Sequence, residues 1–302
     1  MSARDLRRVA FVGVGNMGWP MAARLVEAGF EVVACDAAPG RAQSFAAEVG
    51  GVAAADAAAA VRGADAVITI LPTSKHVGQA LEAMGDAIAP GALVIEMSSG
   101  VPTATRGFAA ALASRGIAMI DAPVSGGVPR ARTGELAIML GGEAEQVERA
   151  RPLLQAMGTT LTHVGGTGAG QAMKALNNLM GAAGFLIGVE ALLIGQRFGL
   201  DPAVMVDVLN NSTGMNNSTQ KKFKQFVLSR SFDAGFGLDL MAKDVSVALE
   251  VGRETNTPTP FAALCREMWA SAQGLLGPGQ DHTAMAQFSE RLAGETLGSR
   301  PA

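Results

Sequence analysis

The stretch VAFVGVGNMGWPMAARLVEAGFEVVACD, Val9–Asp36, decides the fold. It opens on four apolar residues and turns through Gly13-x-Gly15-x-x-Gly18. An Ala-containing helical segment follows, and a second apolar run ends in Asp36. A strand, a glycine turn, a helix and a strand closed by an acid make one βαβ unit of the kind that holds a dinucleotide. Gly13 permits the tight turn, Gly15 lets the backbone approach a pyrophosphate, and Gly18 lets the helix lie close on the sheet. Asn16 and Met17 lead into the helix N-terminus, where free N–H groups and the helix dipole hold phosphates. A carboxylate at Asp36 accepts hydrogen bonds from a ribose 2′-hydroxyl and repels a 2′-phosphate. Ala37 and Ala38 follow it, and the nearest cation, Arg41, is expected on a solvated helix face. The expected cofactor is therefore NAD in preference to NADP.

The same rhythm continues outward. Strand candidates are Val9–Val12, Glu31–Cys35, Ala66–Leu71, Leu93–Met97, Ala118–Asp121, Leu136–Leu140 and Thr160–Val164, with Ala-rich helical stretches between them. Alternation of this sort implies an α/β, doubly wound and mostly parallel sheet, a Rossmann domain. Strands covered on both faces read as continuous apolar runs such as AVITIL. After about Val164 the rhythm stops and the chain becomes helical, with turns at GLDP, NNSTG, TNTPTP and LLGPGQ. Asp201 and Pro202 read as N-cap and first-turn proline. The expected division is a Rossmann domain over 1–165 and an all-α domain over 166–302. The second begins with one long helix, Ala169–Phe198.

Composition narrows the function. The chain has 302 residues, a hydrophobic fraction of 49% and a charged fraction of 17%, which is globular and long enough for a sizeable core. A net charge of −3 gives no basic footprint for nucleic acid or an anionic membrane. Cys35 and Cys265 form no metal or redox spacing and fit a reducing cytoplasm. The N-terminal apolar run is too short and glycine-rich for a secretory signal. Leu179–Val189 is broken by Glu190 and reads as buried helix, not as a membrane span. Neither nucleic acid, membrane nor metal is expected as a partner.

Three further stretches carry chemistry. ILPTSKH follows the third strand, where strand ends open onto a ligand crevice; by itself it reads as an ordinary strand-ending proline, and beside the other motifs Leu71, Pro72 and His76 become candidates to line a cofactor. Ser125-Gly126-Gly127 leaves a strand through a glycine turn, which makes either a small anion nest suited to a carboxylate or a plain turn. The third is GTGAGQAMKALNN, Gly166–Asn178, at the start of the long apolar helix. Lys174 and Asn178 are four residues apart and share a face. Only six of the 24 basic residues are lysine, yet lysine stands at 174. An arginine cannot release its proton at a useful pH, whereas a partly buried lysine can be tuned to pass one. A cation near the positive end of a helix dipole is unfavourable, so a water-seeking surface lysine explains the placement poorly. Lys174 is read as a general acid/base and Asn178 as its orienting partner. Asn177 points elsewhere and is expected to be structural, and His163 and His282 are expected to be ordinary surface or packing residues. Glu190 is expected as a satisfied acid in domain or subunit packing.

Together the stretches FVGVGNMGWPMA, DAPVSGG, GAGQAMKALNN and LMAKD (240–244) resemble the β-hydroxyacid dehydrogenase family, which includes 3-hydroxyisobutyrate dehydrogenase and tartronate semialdehyde reductase. They span nearly the whole chain in order. The resemblance implies a 6-phosphogluconate dehydrogenase-like pair of domains and oxidation of a short 3-hydroxy acid by NAD, or the reverse reduction. It implies Lys174 as catalytic acid/base with Asn178 beside it, and Ser125, Gly126 and Gly127 on the substrate carboxylate. Lys243 would reach the nicotinamide, with Asp244 beside it at the substrate. Leu71, Pro72, His76 and Ser99 match cofactor contacts. Two positions depart from the family pattern: EMSS replaces the usual Asp-Ser-Ser-Thr, and His76 stands where asparagine is common. A homodimer or homotetramer is expected, because the long apolar helix has more surface than one small domain covers. The rival readings are an imine reductase, which usually lacks the lysine, and a cofactor-binding module without catalysis, which also loses it.

Overall fold

The computed structural model describes residues 6–298, and the chain divides into two compact units, Met1–Lys174 and Ala175–Ala302. The first is built on one sheet of nine strands. These are β1 (Arg8–Val12), β2 (Glu31–Cys35), β3 (Val52–Ala53), β4 (Ala66–Thr69), β5 (Leu93–Glu96), β6 (Ala118–Asp121), β7 (Val124–Ser125), β8 (Leu136–Gly141) and β9 (Gly158–Gly165). The order is β3-β2-β1-β4-β5-β6-β8-β7, with β9 on β8. Pairing is parallel from β3 through β6, antiparallel from β8 to β6 and β7, and parallel again between β8 and β9. The chain reverses its winding direction at β1, which lies between β2 and β4, and this is where a doubly wound sheet opens a crevice at its carboxyl edge.

Successive residues of the central strands feed opposite cores. Val9 and Phe11 pack with Met21, Leu25, Phe45, Ile68 and Ile95 on one face. Ala10 and Val12 pack with Val33, Val67, Met84 and Val94 on the other. Two buried faces require unbroken apolar runs, the pattern that marked these strands in the sequence. All seven expected strands form. β4 and β5 stop earlier than expected, at Thr69 and Glu96, although the N–H groups of Ile70 and Met97 still donate to Val12 and Thr69 of the neighbouring strands. The strands β3 and β7 have two residues each, too few to show a period, and Val52 is exposed.

The second unit is helical. The long helix Ala169–Phe198 has the predicted bounds. Pro202–Asn210, Asn217–Lys221, Leu238–Glu254, Pro260–Leu276 and Met285–Ala293 follow it, with a π-helical turn at Phe223–Leu228. Its core gathers Phe185, Val189, Phe223, Trp269 and Met285. The Phe185 ring lies 5.4 Å from that of Phe223 and 6.2 Å from that of Trp269. Asp201 caps its helix by accepting from the N–H of Ala203 at 2.7 Å. Asn216 and Thr219 form a reciprocal capping box, so the polar segment NNSTQ, 216–220, serves as a helix start. The long helix is apolar and long enough to cross a membrane by composition alone, but half of its most apolar stretch is buried in the protein.

Candidate active site

The glycine loop follows β1. Gly13 has φ +101°, and a Cβ there would lie 2.4 Å from the Ile70 carbonyl oxygen. A Cβ on Gly18 would lie 1.8 Å from the Gly13 carbonyl oxygen, so only glycine lets the helix Gly18–Glu27 start this close to the strand. Gly15 is the opposite case: it is exposed and nothing lies within 4 Å of where its Cβ would be. Asn16 beside it is exposed too, and Met17 is half-buried in the position before the helix. Two glycines thus serve packing and the third leaves an open backbone surface at a helix N-terminus, as a pyrophosphate needs.

Asp36, just beyond β2, holds this loop in place. Its carboxylate accepts from the N–H of Val14 and of Ala38, each at 2.8 Å, through different oxygens. An ionised carboxylate has about four acceptor sites, so capacity for a ribose hydroxyl is retained. Arg41 departs from expectation. It is half-buried, its Nε donates to the Val14 carbonyl oxygen at 2.9 Å, and its guanidinium sits 4.5 Å from the centroid of the Trp19 ring. Trp19 in turn meets Phe45 edge-on at 5.3 Å. Gly40, with φ +78°, turns the chain so that Arg41 starts its helix against the glycine loop instead of on a solvated face. The open cradle at Gly15 and the fixed carboxylate at Asp36 fit NAD.

The neighbouring strand ends complete the carboxyl edge. The Leu71 N–H donates to Ser98 Oγ at 2.8 Å, which ties the segment after β4 to the segment after β5. Leu71 and Ser99 are half-buried and Pro72 is exposed. His76 lies exposed in the first turn of the helix Ser74–Met84, its Nδ1 2.8 Å from the capping hydroxyl of Thr73. Ser125 ends β7 half-buried. Gly126 (φ +137°) and Gly127 (φ +66°) follow it, exposed, in backbone conformations that favour glycine.

Lys174 is buried, one turn from the start of the long helix. That start is fixed by buried polar groups. Asp121, at the end of β6, accepts from the N–H of Gly168 at 2.7 Å and of Gln171 at 2.9 Å, and so caps the helix from across the sheet. The Gln171 side chain accepts from the Gly100 N–H at 2.8 Å and donates to the Ser98 carbonyl at 2.8 Å and to the Glu96 carboxylate. Glu96 also accepts from the Ser98 N–H at 2.8 Å. It pairs with Asp121 across adjacent parallel strands. Burial pushes the Glu96 carboxyl up to about 7, with Asp121 adding repulsion and the Ser98 and Gln171 hydrogen bonds opposing. Burial raises Asp121 as well, against the pull of its backbone donors. Neither Glu96 nor Gln171 was singled out by sequence reasoning. The available signal was a polar residue one turn before Lys174 inside an apolar helix.

In the second unit Asn178 donates to the Asp244 carboxylate at 2.5 Å, and Asp244 meets Lys243 Nζ at 3.2 Å. Asn178 and Asp244 are buried. Asn177 is exposed and donates to the Asn178 side-chain oxygen at 3.1 Å. Glu190 is exposed in the single chain and lines a cavity of about 300 Å³ with Leu193, Ile194 and Arg197. His282 is buried against Lys222 and the Phe236 carbonyl, whereas His163 is exposed.

Residues 8–165 match the model of the NAD binding domain of 6-phosphogluconate dehydrogenase. Residues 168–289 match the NAD-binding domain of NADP-dependent 3-hydroxyisobutyrate dehydrogenase. The chain belongs to the β-hydroxyacid dehydrogenase family. An NAD-dependent L-serine dehydrogenase of Pseudomonas aeruginosa is 39% identical, over 87% of this chain and 91% of its own length. The 2-(hydroxymethyl)glutarate dehydrogenase of Eubacterium barkeri is 32% identical, over 96% and 97%. A structure of Mycobacterium tuberculosis 3-hydroxyisobutyrate dehydrogenase with L-serine superposes with a TM-score of 0.85 at 34% identity, covering 92% of this chain and 97% of that one. As a member of this family, the protein is a nicotinamide-dependent oxidoreductase acting on a CH–OH group, and NAD is the supported cofactor in a family that includes NADP-dependent members.

Proposed function

We propose that the protein oxidises the alcohol of a short 3-hydroxy acid, or reduces the corresponding carbonyl, with Lys174 as general base and acid. The carrying observation is a buried lysine held one turn inside a helix whose start is fixed by Asp121 at the carboxyl end of β6, in the same sheet whose β1 leads into the glycine loop. In the oxidative direction Lys174 Nζ, unprotonated, takes the hydroxyl proton while the carbinol C–H bond breaks. In the reductive direction the ammonium returns a proton to the carbonyl oxygen. Bound NAD⁺ supplies the hydride acceptor at C4 of its nicotinamide.

Around that step the other residues bind and orient. Gly13, Gly15, Asn16, Met17 and Gly18 take the pyrophosphate. Asp36 takes the adenosine ribose, and Leu71, Pro72, His76, Ser99 and Lys243 line the rest of the cofactor. Ser125, Gly126 and Gly127 take the substrate carboxylate. Asn178, with Asp244, positions the reacting hydroxyl. In this reading residues 1–165 form the cofactor domain and 166–302 the substrate and assembly domain. Names among the relatives include L-serine and 3-hydroxyisobutyrate, both short acids with a hydroxyl two carbons from the carboxylate, and this chemistry is carried over as the substrate class. Tartronate semialdehyde and sugar acids fall in the same class. The protein is assigned to the cytoplasm, as a homodimer or homotetramer.

The test is a spectrophotometric assay with NAD⁺ and NADP⁺ against 3-hydroxyisobutyrate, 3-hydroxypropionate, glycerate, threonate, L-serine and L-threonine. NAD⁺-dependent turnover of at least one short 3-hydroxy acid supports the reading. Turnover of an imine with none of the acids would replace it.

A further inference from the structure

Gln171 joins two parts of the first unit that have separate tasks. Its side chain is buried, and both amide donors and the amide oxygen are engaged: Oε1 accepts from Gly100, and Nε2 donates to Ser98 and Glu96. Ser98 and Gly100 flank Ser99, assigned above to the cofactor. The Gln171 backbone N–H is held by Asp121, and Lys174 follows three residues later on the same helix. The contact leaves little play. A Cβ on Gly170 would lie 2.5 Å from the Met139 carbonyl oxygen, and one on Gly141 would lie 2.5 Å from Asp121 Oδ1. Glycine at both places lets the helix start rest directly on the strand ends.

We propose that Gln171 is a positioning residue for Lys174, anchored by Glu96 and Asp121, and that it fixes the catalytic helix against the segment carrying Ser99. The proposal rests on Lys174 being the acid/base. Stability alone does not explain the arrangement. Two buried carboxylates on adjacent strands are costly to desolvate, and well-packed apolar side chains serve adhesion better. Directional hydrogen bonds do what apolar packing does not: they fix rotation about the helix axis and translation along it. Three residues of helix span about 4.5 Å and about 300° of turn, so a slip at Gln171 passes undiminished to Nζ. A displacement of about 1 Å between reacting groups can cost about 10²-fold in rate.

The test compares Gln171→Met, of similar length without polar atoms, with Glu96→Gln, nearly isosteric, and with Lys174→Ala as control. The readouts are kcat, KM for NAD⁺ and melting temperature. The expected result is a kcat lowered roughly 10- to 100-fold in both variants, with KM for NAD⁺ moved only a few-fold. The double variant should fall no further than the worse single one, because both break the same link. Folded variants with a changed melting temperature but parental kcat would overturn the positioning role while leaving Lys174 as acid/base intact. If Gln171→Met does not fold, Glu96→Gln alone decides by the same criterion. Full turnover in Lys174→Ala would overturn both readings.

Discussion

Glu96 departs further from ordinary carboxylate behaviour than its neighbours. Burial holds its proton to about pH 7 in the folded protein, whereas an unfolded chain releases it near 4.5. Between those values the folded state binds more protons than the unfolded one, so stability falls as pH rises. The favourable contribution is complete below about 4.5 and gone above about 7. Glu96→Gln removes the titration, and the parent should lose up to about 3 kcal/mol relative to that variant between pH 4.5 and 8. Urea melts of both proteins across this range check it, and parallel curves would contradict it. At this scale the sequence revealed residues whose chemistry is local. Asp36 closes its own strand, and Lys174 is conspicuous by residue type and place. Gln171, Glu96 and Arg41 were illegible because their partners lie far away in sequence: Gln171 and Glu96 are 75 residues apart, and Arg41 and Val14 are 27 apart.

Elements with strong local signals were legible, and those made by tertiary contact were not. The long helix Ala169–Phe198 could be bounded from its glycines and apolar run, and Asp201-Pro202 announced the next helix start. The two-residue strands β3 and β7 exist only as pairings to β2 and β8 and leave no pattern in sequence. The two helix starts also differ in how they are capped. Asp201 caps its own helix, and Asp201→Ala should cost about 1 kcal/mol, read as a lower melting temperature with kcat unchanged. A larger loss, with activity affected, would mean that this cap does more than close a helix end. The long helix is capped instead by Asp121 from another strand, so its start is set by the sheet and not by its own sequence.

On the scale of the molecule, the sequence rhythm gave the α/β unit followed by a helical one, and the crossover at β1 follows from parallel strands wound in both directions. What composition did not show is where apolar surface stays uncovered. Met180, Ile187 and Ile194 recur every seven residues along the long helix and are 76%, 56% and 71% exposed, with Phe198 at 84%. A row of exposed apolar residues at this spacing is a candidate association surface. The homo-oligomer proposed here would cover it. Ile194→Glu should then shift the sedimentation coefficient toward the monomer while the circular dichroism spectrum is kept. A parent protein that sediments as a monomer at the same concentration would contradict this.

The central claim is that Lys174 moves the proton while the glycine loop holds the cofactor independently. Lys174→Ala measures it most directly, with turnover of the best acid substrate and NAD⁺ affinity by fluorescence titration determined on the same preparation. The account predicts kcat lowered by a factor on the order of 10² to 10⁴, with the dissociation constant for NAD⁺ nearly unchanged. Turnover close to parental in the folded variant would contradict it and move the acid/base to another residue.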